Sequence, residues 1–346
     1  MKVTIKDIAK ECGVSAATVS LAMSGKPSRI SERTKQLVLE TAKKYNYSPN
    51  NAAVTLVKQK SRFVGIVFND LRNTHISSVF MTISRVVQMK GYGLISHILD
   101  EDYERDYDLV HQIASENIGA LIWAKSLENV PEKESEELDS LITGLGIPVI
   151  TMDPYGFGCP GVDVCFDYRE GGYLATKHLL ELGHKRIGCV AGNRSFRVTE
   201  ERLEGYRQAL AEYDIPFDPQ LVHYGKYTMD SGYEAFPYIM GQKVTAIFSM
   251  NDEMAFGLYR AARNYGINIP DDISVIGFDN VPFADVMEVP LTTIRVPVEE
   301  MGEYIGEKTV ELIEKNETER SVKMYKPQLM LRASTKKYTA GKGSLN

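Results

Sequence analysis

Apolar residues in the first 45 positions recur three and four apart, the spacing of short amphipathic helices. Ile5, Ile8 and Ala9 mark a first helix. Thr4, followed three residues later by Asp7, resembles a capping box with the shorter acid. Gly13 interrupts the pattern, as a tight turn requires where the backbone reaches positive φ. Ser15 is placed to cap a second helix whose inner face is Val19, Ala22 and Met23. Residues 25–29 form a loop by composition, and Ser31 caps a third helix over 32–44 with the stripe Leu37, Val38, Thr41, Ala42 and Tyr45. Residues 51–57 are a poor helix standing alone, being short and carrying β-branched Val54, Thr55 and Val57.

From residue 62 the texture changes to apolar runs alternating with amphipathic stretches. Strands are predicted at 63–68, 93–99, 120–123 and 148–152, separated by helices, the first with Val79, Phe80, Ile83 and Val87 inward. A second series starts near Val162, with helices over 170–182, 200–213, 231–240 and 253–265. Its strands fall at 187–191, 221–224, 246–249 and 273–278. Residues 292–295, a helix over 298–314 and a strand near 328–331 follow. The predicted class is α/β: a small all-α helix-turn-helix headpiece, then a two-lobed domain of doubly wound parallel sheets.

Charge divides the chain the same way. Residues 1–62 hold twelve Lys and Arg against four acids, a net of +8, so a chain of −6 leaves −14 for the remainder. A small basic module on a large acidic body suits a polyanion partner at one end only. Hydrophobic residues at 43% and the absence of an apolar run of membrane length predict a soluble cytoplasmic protein without a membrane partner. Cys12, Cys159, Cys165 and Cys189 lack Cys-x-x-Cys spacing, which predicts reduced, mostly buried thiols. The six histidines show no metal-ligand pattern, so no metal and no cofactor are expected; His178 and His184 read as helix-face or helix-end residues.

Two short helices around a glycine form either an ordinary helical hairpin or a helix-turn-helix whose second helix enters the major groove. The basic charge favours the latter. Thr18 and Ser20 would then offer hydroxyls to phosphates or bases, and Ala16 and Ala17 could meet thymine methyls. The run from Thr4 to Leu56 resembles the DNA-binding headpiece of the LacI/GalR family of bacterial transcription regulators. RLEGYRQAL, AIFSMNDEMAFG, ISVIGFDN and PLTTIRVP extend the resemblance through the body, to about Tyr338.

The resemblance implies operator contacts at Thr4, Ser15, Ala16, Ala17, Thr18, Ser20, Leu21, Arg29, Asn50, Ala53 and Leu56. Leu56 occupies the place of a leucine that wedges into the minor groove from a hinge helix formed on DNA. Val54 and Leu21 stand where family members commonly carry arginine, which changes the operator to be read. The implied organisation is a headpiece over 1–49, a hinge over 50–61, a body over 62–338 and a tail over 339–346. Within the body the first lobe takes about 62–161 and 292–325, and the second about 162–291 and 326–338. The chain crosses between lobes more than once, and the last helix packs on the first lobe.

Ligands in such sheets bind beyond the carboxyl ends of the strands. Asn69, Asp70, Asp153, Asn251, Asp252 and Asp279 follow predicted strands, and each alone reads as a helix cap or turn residue. That reading is kept for Asp70 and Asp252. The resemblance assigns effector contact to Asp153, Asn251 and Asp279, to Arg202 on its helix, and to Tyr227 as a stacking ring. Asn73 and His75 belong to the same wall, where Asn-Thr-His-Ile replaces the family's usual Asn-Pro-Phe-Phe and makes it more polar. No phosphate loop, nucleophile elbow, metal pair or Cys-His setting points to catalysis.

The expected protein is therefore not an enzyme. It is a repressor that binds a palindromic, double-stranded operator as a homodimer or higher oligomer and answers allosterically to a small polar effector, a sugar or sugar derivative. Two alternatives are a catabolite-control-type regulator tuned by a protein partner and a transport-type solute-binding protein; the basic headpiece argues against the second.

Overall fold

The structure is a computed structural model, and it describes residues 3–23, 30–45, 47, 61–68, 71–98, 103–124, 132–153, 161–318 and 320–339. The chain divides into two compact units, 1–62 and 63–346.

In the first unit three helices pack together, α1 (Ile5–Cys12), α2 (Ala16–Met23) and α3 (Glu32–Lys44). Asp7 accepts from both the backbone N–H and the hydroxyl of Thr4, at 2.8 and 2.7 Å. Those bonds hold its carboxyl below the usual range. Gly13 ends α1 at φ 65°, in the left-handed region. Ser15 caps α2 by accepting from the Thr18 N–H at 3.1 Å, and Ser31 caps α3 through Thr34 at 3.2 Å. Ile8, Ala9, Val19, Ala22 and Val38 form the small core. The expected α3 stripe is narrower than its sequence suggests. Val38, Thr41 and Ala42 turn inward, while Leu37 and Tyr45 are exposed. Tyr45 instead ties α3 to α1, its hydroxyl donating to Glu11 at 3.0 Å.

The second unit holds two six-stranded sheets, ordered β11-β5-β4-β3-β1-β2 and β12-β10-β9-β8-β6-β7. In the first sheet β1 (Phe63–Phe68), β2 (Gly93–Ile98), β3 (Ala120–Ala124), β4 (Val149–Met152), β5 (Val162–Phe166) and β11 (Ser321–Tyr325) are all parallel. The second holds β6 (Ile187–Ala191), β7 (Val222–Tyr224), β8 (Ala246–Ser249), β9 (Ser274–Asp279), β10 (Thr292–Arg295) and the antiparallel β12 (Gln328–Met330). Five strands in the order 2-1-3-4-5 thus recur in each lobe, as doubly wound folding requires. The helices are α4 (Thr74–Met89), α5 (Tyr103–Ser115) and α6 (Glu132–Gly144) in the first lobe; then α7 (Tyr168–Glu181), α8 (Arg197–Glu212), α9 (Met229–Gly241), α10 (Asp252–Tyr265), α11 (Phe283–Val286) and α12 (Val298–Lys315).

Two expected lobe boundaries move. β5 pairs with β4, so 162–166 belongs to the first lobe, and β10 pairs with β9, so 292–295 belongs to the second. The chain therefore crosses after β5, after β10 and between β11 and β12. The last helix, α12, does lie on α4, where Gly302 and Gly306 let Thr82 and Val86 approach closely. His178 and His184 do more than stand on a helix. They bond Thr335, Thr245 and the Lys336 carbonyl at 2.9–3.0 Å, which fastens the stretch after β12 to the second lobe. Cys189 is buried, whereas Cys12 and Cys165 are only half-buried.

In the second lobe α7 and α8 approach at two glycines. A Cβ on Gly172 would meet the Arg202 carbonyl oxygen at 2.1 Å, and one on Gly205 would meet the Arg169 carbonyl oxygen at 2.0 Å. This contact sets where α8 carries Arg202.

Candidate functional site

Along α2 the buried residues are Val19 and Ala22, so Ala17, Ser20 and Leu21 form the outward stripe. Ala16 rests half-buried against the small core, and the Ser15 and Thr18 hydroxyls share a hydrogen bond at 2.9 Å. Thr4 is exposed at the start of α1. Arg29, Asn50, Ala53 and Leu56, with the hinge over 50–61 up to residue 60, lie outside the described residues, as do Asn69 and Asp70 and the tail from residue 340.

In the second unit, the residues expected to meet an effector gather at the carboxyl ends of both sheets. Arg202, on the second turn of α8, is only 6% exposed. Its guanidinium carbon lies 4.1 Å from the centre of the Phe278 ring, 4.8 Å from that of Tyr168 and 5.4 Å from that of Tyr227. Nη1 donates to the Met250 carbonyl at 2.5 Å, and Nη2 stands 3.7 Å from Asp279 Oδ1. Planar cations favour such aromatic faces, because the ring quadrupole attracts them and their hydration is weak. Burial pushes the Asp279 carboxyl well up, Arg202 pulls it back, and Asp252 and Glu253 add to the rise.

Asp153 arrives from the first lobe, at the end of β4, with φ 48°. It accepts from the Tyr168 hydroxyl at 2.7 Å and the Phe166 N–H at 3.1 Å. Burial pushes its carboxyl up to about 6, against those two hydrogen bonds. Tyr168 thus links Asp153 to the Arg202–Asp279 pair. Tyr227, at φ 60°, shares a hydrogen bond with Thr199 at 2.8 Å and lays its ring over Gly192, where a Cβ would fall 1.9 Å from the ring.

Two expected contacts have structural duties here. Asn251 is buried, accepts from the Met254 N–H as the cap of α10, and donates to the Tyr227 carbonyl at 3.0 Å. It holds Tyr227 in place. Asn73 caps α4 by accepting from the N–H groups of His75 and Ile76. Asp252 is structural, but not as the helix cap or turn residue its sequence suggests: Asn251 is the cap, and Asp252 bridges the Val281 N–H and the Thr293 hydroxyl at 2.9 and 2.6 Å.

His75 presents a buried Nδ1 without a hydrogen-bond partner. Burial first, and then Arg202, hold its imidazole down at about 4. It is neutral at pH 7. Beside Asp153, a groove of about 510 Å³ opens between β5 and the start of α8, lined by Cys165, Phe166, Arg197, Glu200, Glu201 and Met324 among others.

Of the rings around Arg202, the sequence points to Tyr227 alone. Tyr168 and Phe278 stand within two residues of a strand end, where sequence reading looks for acids and amides. An aromatic residue adjoining such a position was the available signal. Among the described residues no group of three or more His, Cys, Asp or Glu could hold a metal ion, and no helix is long and apolar enough to cross a membrane.

The family model for bacterial regulatory proteins of the lacI family matches residues 4–50, and that for a periplasmic binding protein-like domain matches 176–335. The HTH-type transcriptional repressor PurR of Vibrio parahaemolyticus is 32% identical over 339 residues, covering 96% of this chain and 99% of that protein. The Lac repressor dimer bound to operator and an anti-inducer superposes with a TM-score of 0.84 at 24% identity, over 97% of this chain and all of the other. A LacI family regulator from Enterococcus faecium with bound ribose has a TM-score of 0.72 at 26% identity, over 80% of this chain and all of that one.

Proposed function

The chain belongs to the LacI family of bacterial transcriptional regulators, and from that premise we propose that it is a repressor which holds a palindromic operator as a homodimer and is controlled by a small polar effector, a carbohydrate. It carries a DNA-binding head and an effector-binding body, and it is not an enzyme.

The effector reading rests on one observation: Asp153 from the first lobe meets Arg202 and Asp279 of the second through Tyr168. Carboxylates accept from ligand hydroxyls, and a guanidinium donates to ring and hydroxyl oxygens. His75 adds a neutral ring nitrogen, Tyr227 a face on which a sugar can stack. The ribose bound by the Enterococcus faecium relative supports the same ligand class. Asn73 and Asn251 contribute by shaping the wall.

On the head, Ala17, Ser20 and Leu21 face the major groove, with Thr4, Ser15, Ala16 and Thr18 around them, and Arg29 is a further operator contact. Residues 50–61 act as the hinge, with Asn50, Ala53 and Leu56 on the minor groove. Support for the dimer comes from apolar side chains standing in solvent on a single chain. Met81 and Met89 on α4 and Phe283 and Val286 on α11 are each more than three-fifths exposed. A second copy would cover them.

The test is selection of bound genomic fragments, followed by titration of the recovered fragment at fixed salt with and without candidate sugars. A palindromic consensus whose affinity shifts with one sugar is the expected result. Equal attachment to every duplex, with a salt slope and nothing more, would refute the reading. Replacing Leu56 with alanine is expected to weaken the consensus site more than random DNA.

A further inference from the structure

Thr74 begins α4 in the first lobe, and Glu253 stands on the first turn of α10 in the second. The Thr74 N–H and hydroxyl both donate to one oxygen of the Glu253 carboxylate, at 3.3 and 3.2 Å. Both partners are partly buried. The two helices belong to different sheets: α4 lies on β2 and α12, and α10 on β8, β9 and α9. This is therefore a polar bond from one lobe to the other, outside the cage around Arg202.

The local accounting explains why the carboxylate is held there. A helix leaves its first N–H groups without partners of its own. Asn73 satisfies those of His75 and Ile76, and the N–H of Thr74 is left to Glu253. The carboxylate also meets the positive end of a 16-residue helix, which favours negative charge. The bond needs both donors on residue 74. A proline there would remove the N–H and the hydroxyl together while suiting the first helical position.

We propose that Thr74 and Glu253 form a latch that holds the two lobes together in the absence of any effector. The arrangement that brings Thr74 and Glu253 together is then populated before a ligand arrives. A ligand that needs it binds without the loss of affinity that a rarely populated state imposes, and one that needs the lobes apart must break the latch. The latch acts in the same way whichever effector the cleft takes.

The test uses the full-length, ligand-free protein with nitroxide labels at Glu136 on α6 and Glu234 on α9, both exposed. Cys12, Cys159, Cys165 and Cys189 are replaced by serine, and labelled chains are diluted with unlabelled ones. The distance between the labels is read by double electron–electron resonance. Thr74→Pro and Glu253→Ala are each expected to lengthen the mean separation and broaden its distribution. Thr74→Ser, which keeps both donors, is expected to match the parent. The double variant Thr74→Pro/Glu253→Ala should go no further than either single change, since both break one bond. Circular dichroism establishes that each variant is folded, and Thr74→Pro carries the test alone if Glu253→Ala is not. Unchanged distances in Thr74→Pro, or a shift in Thr74→Ser as large as in Thr74→Pro, would overturn the latch.

Discussion

Arg202 and Asp279 face each other at 3.7 Å with less than a tenth of either side chain exposed. Removing one partner of a buried pair strands the other charge, which costs about 3–5 kcal/mol. Arg202→Ala is therefore expected to lower the urea midpoint of the body substantially, besides abolishing its response to effector. Arg202→Lys should fall between, since an ammonium keeps the charge but loses the planar contact with Phe278 and the fork shared by Met250 and Asp279. A midpoint unchanged in Arg202→Ala would mean that the arginine is solvated.

His75 and Asp153 give stability opposite dependences on pH. The His75 imidazole is depressed from its ordinary 6.5 to about 4, so its contribution is present above pH 6.5 and lost as pH falls through 4. The Asp153 carboxyl is raised from 3.8 to about 6, so its contribution is present below pH 3.8 and lost as pH rises through 6. Each is worth up to about 3 kcal/mol at roughly 1.4 kcal/mol per pH unit, and in the parent they oppose each other. Relative to the parent, His75→Phe is expected to gain stability as pH falls from 6.5 to 4, and Asp153→Asn to lose it. Urea midpoints across that range decide the matter. Slopes of the same sign in both variants would remove one or both groups from the buried site.

The limits of sequence reading fall where contacts are non-local. The apolar runs at β1, β6, β8 and β9 are buried strands, and their continuous hydrophobicity is visible without pairing information. By contrast β11, an edge strand reading Ser-Val-Lys-Met-Tyr with its middle exposed, offers no such signal. The lobe assignments of β5 and β10 depend on which neighbour each strand pairs with, and nothing local encodes that. Arg202 shows the same limit within the site. Arginine on a helix reads as solvated, and its cage comes from Tyr168, Tyr227 and Phe278 on three separate segments. The headpiece was more legible, because caps and turns at Ser15, Gly13 and Ser31 are fixed by residues only a few positions away.

In the headpiece, fold and recognition separate on neighbouring serines. Ser15 accepts from the Thr18 N–H, and losing such a cap costs about 1 kcal/mol, much for a three-helix unit with so small a core. Ser15→Ala is expected to speed hydrogen exchange across α2 and weaken binding to all duplexes. Ser20 is exposed and should cost within about 0.5 kcal/mol on truncation. Ser20→Ala is expected to leave exchange unchanged while weakening only the selected operator. Exchange in α2 accelerated by Ser20→Ala would assign that side chain to the fold.

The contact between α7 and α8 connects packing to the site, because the atom that blocks a side chain on Gly172 is the carbonyl oxygen of Arg202 itself. A methyl group there would meet it at 2.1 Å, and backbone cannot swing aside as a flexible side chain can. Gly172→Ala must push α8 away from α7, at about 1–3 kcal/mol for the overpacking or more. The displacement would draw the guanidinium off Phe278 and Asp279, so the response to effector should fall although residue 172 belongs to neither the cage nor the groove. Gly241, at the end of α9, has open space where its Cβ would stand. Gly241→Ala is expected to fold as well as the parent or slightly better, by up to about 1 kcal/mol, with its effector response intact. Urea midpoints and operator titrations on the two variants separate the cases, and an unimpaired response in Gly172→Ala would show that α8 is free to shift without moving Arg202.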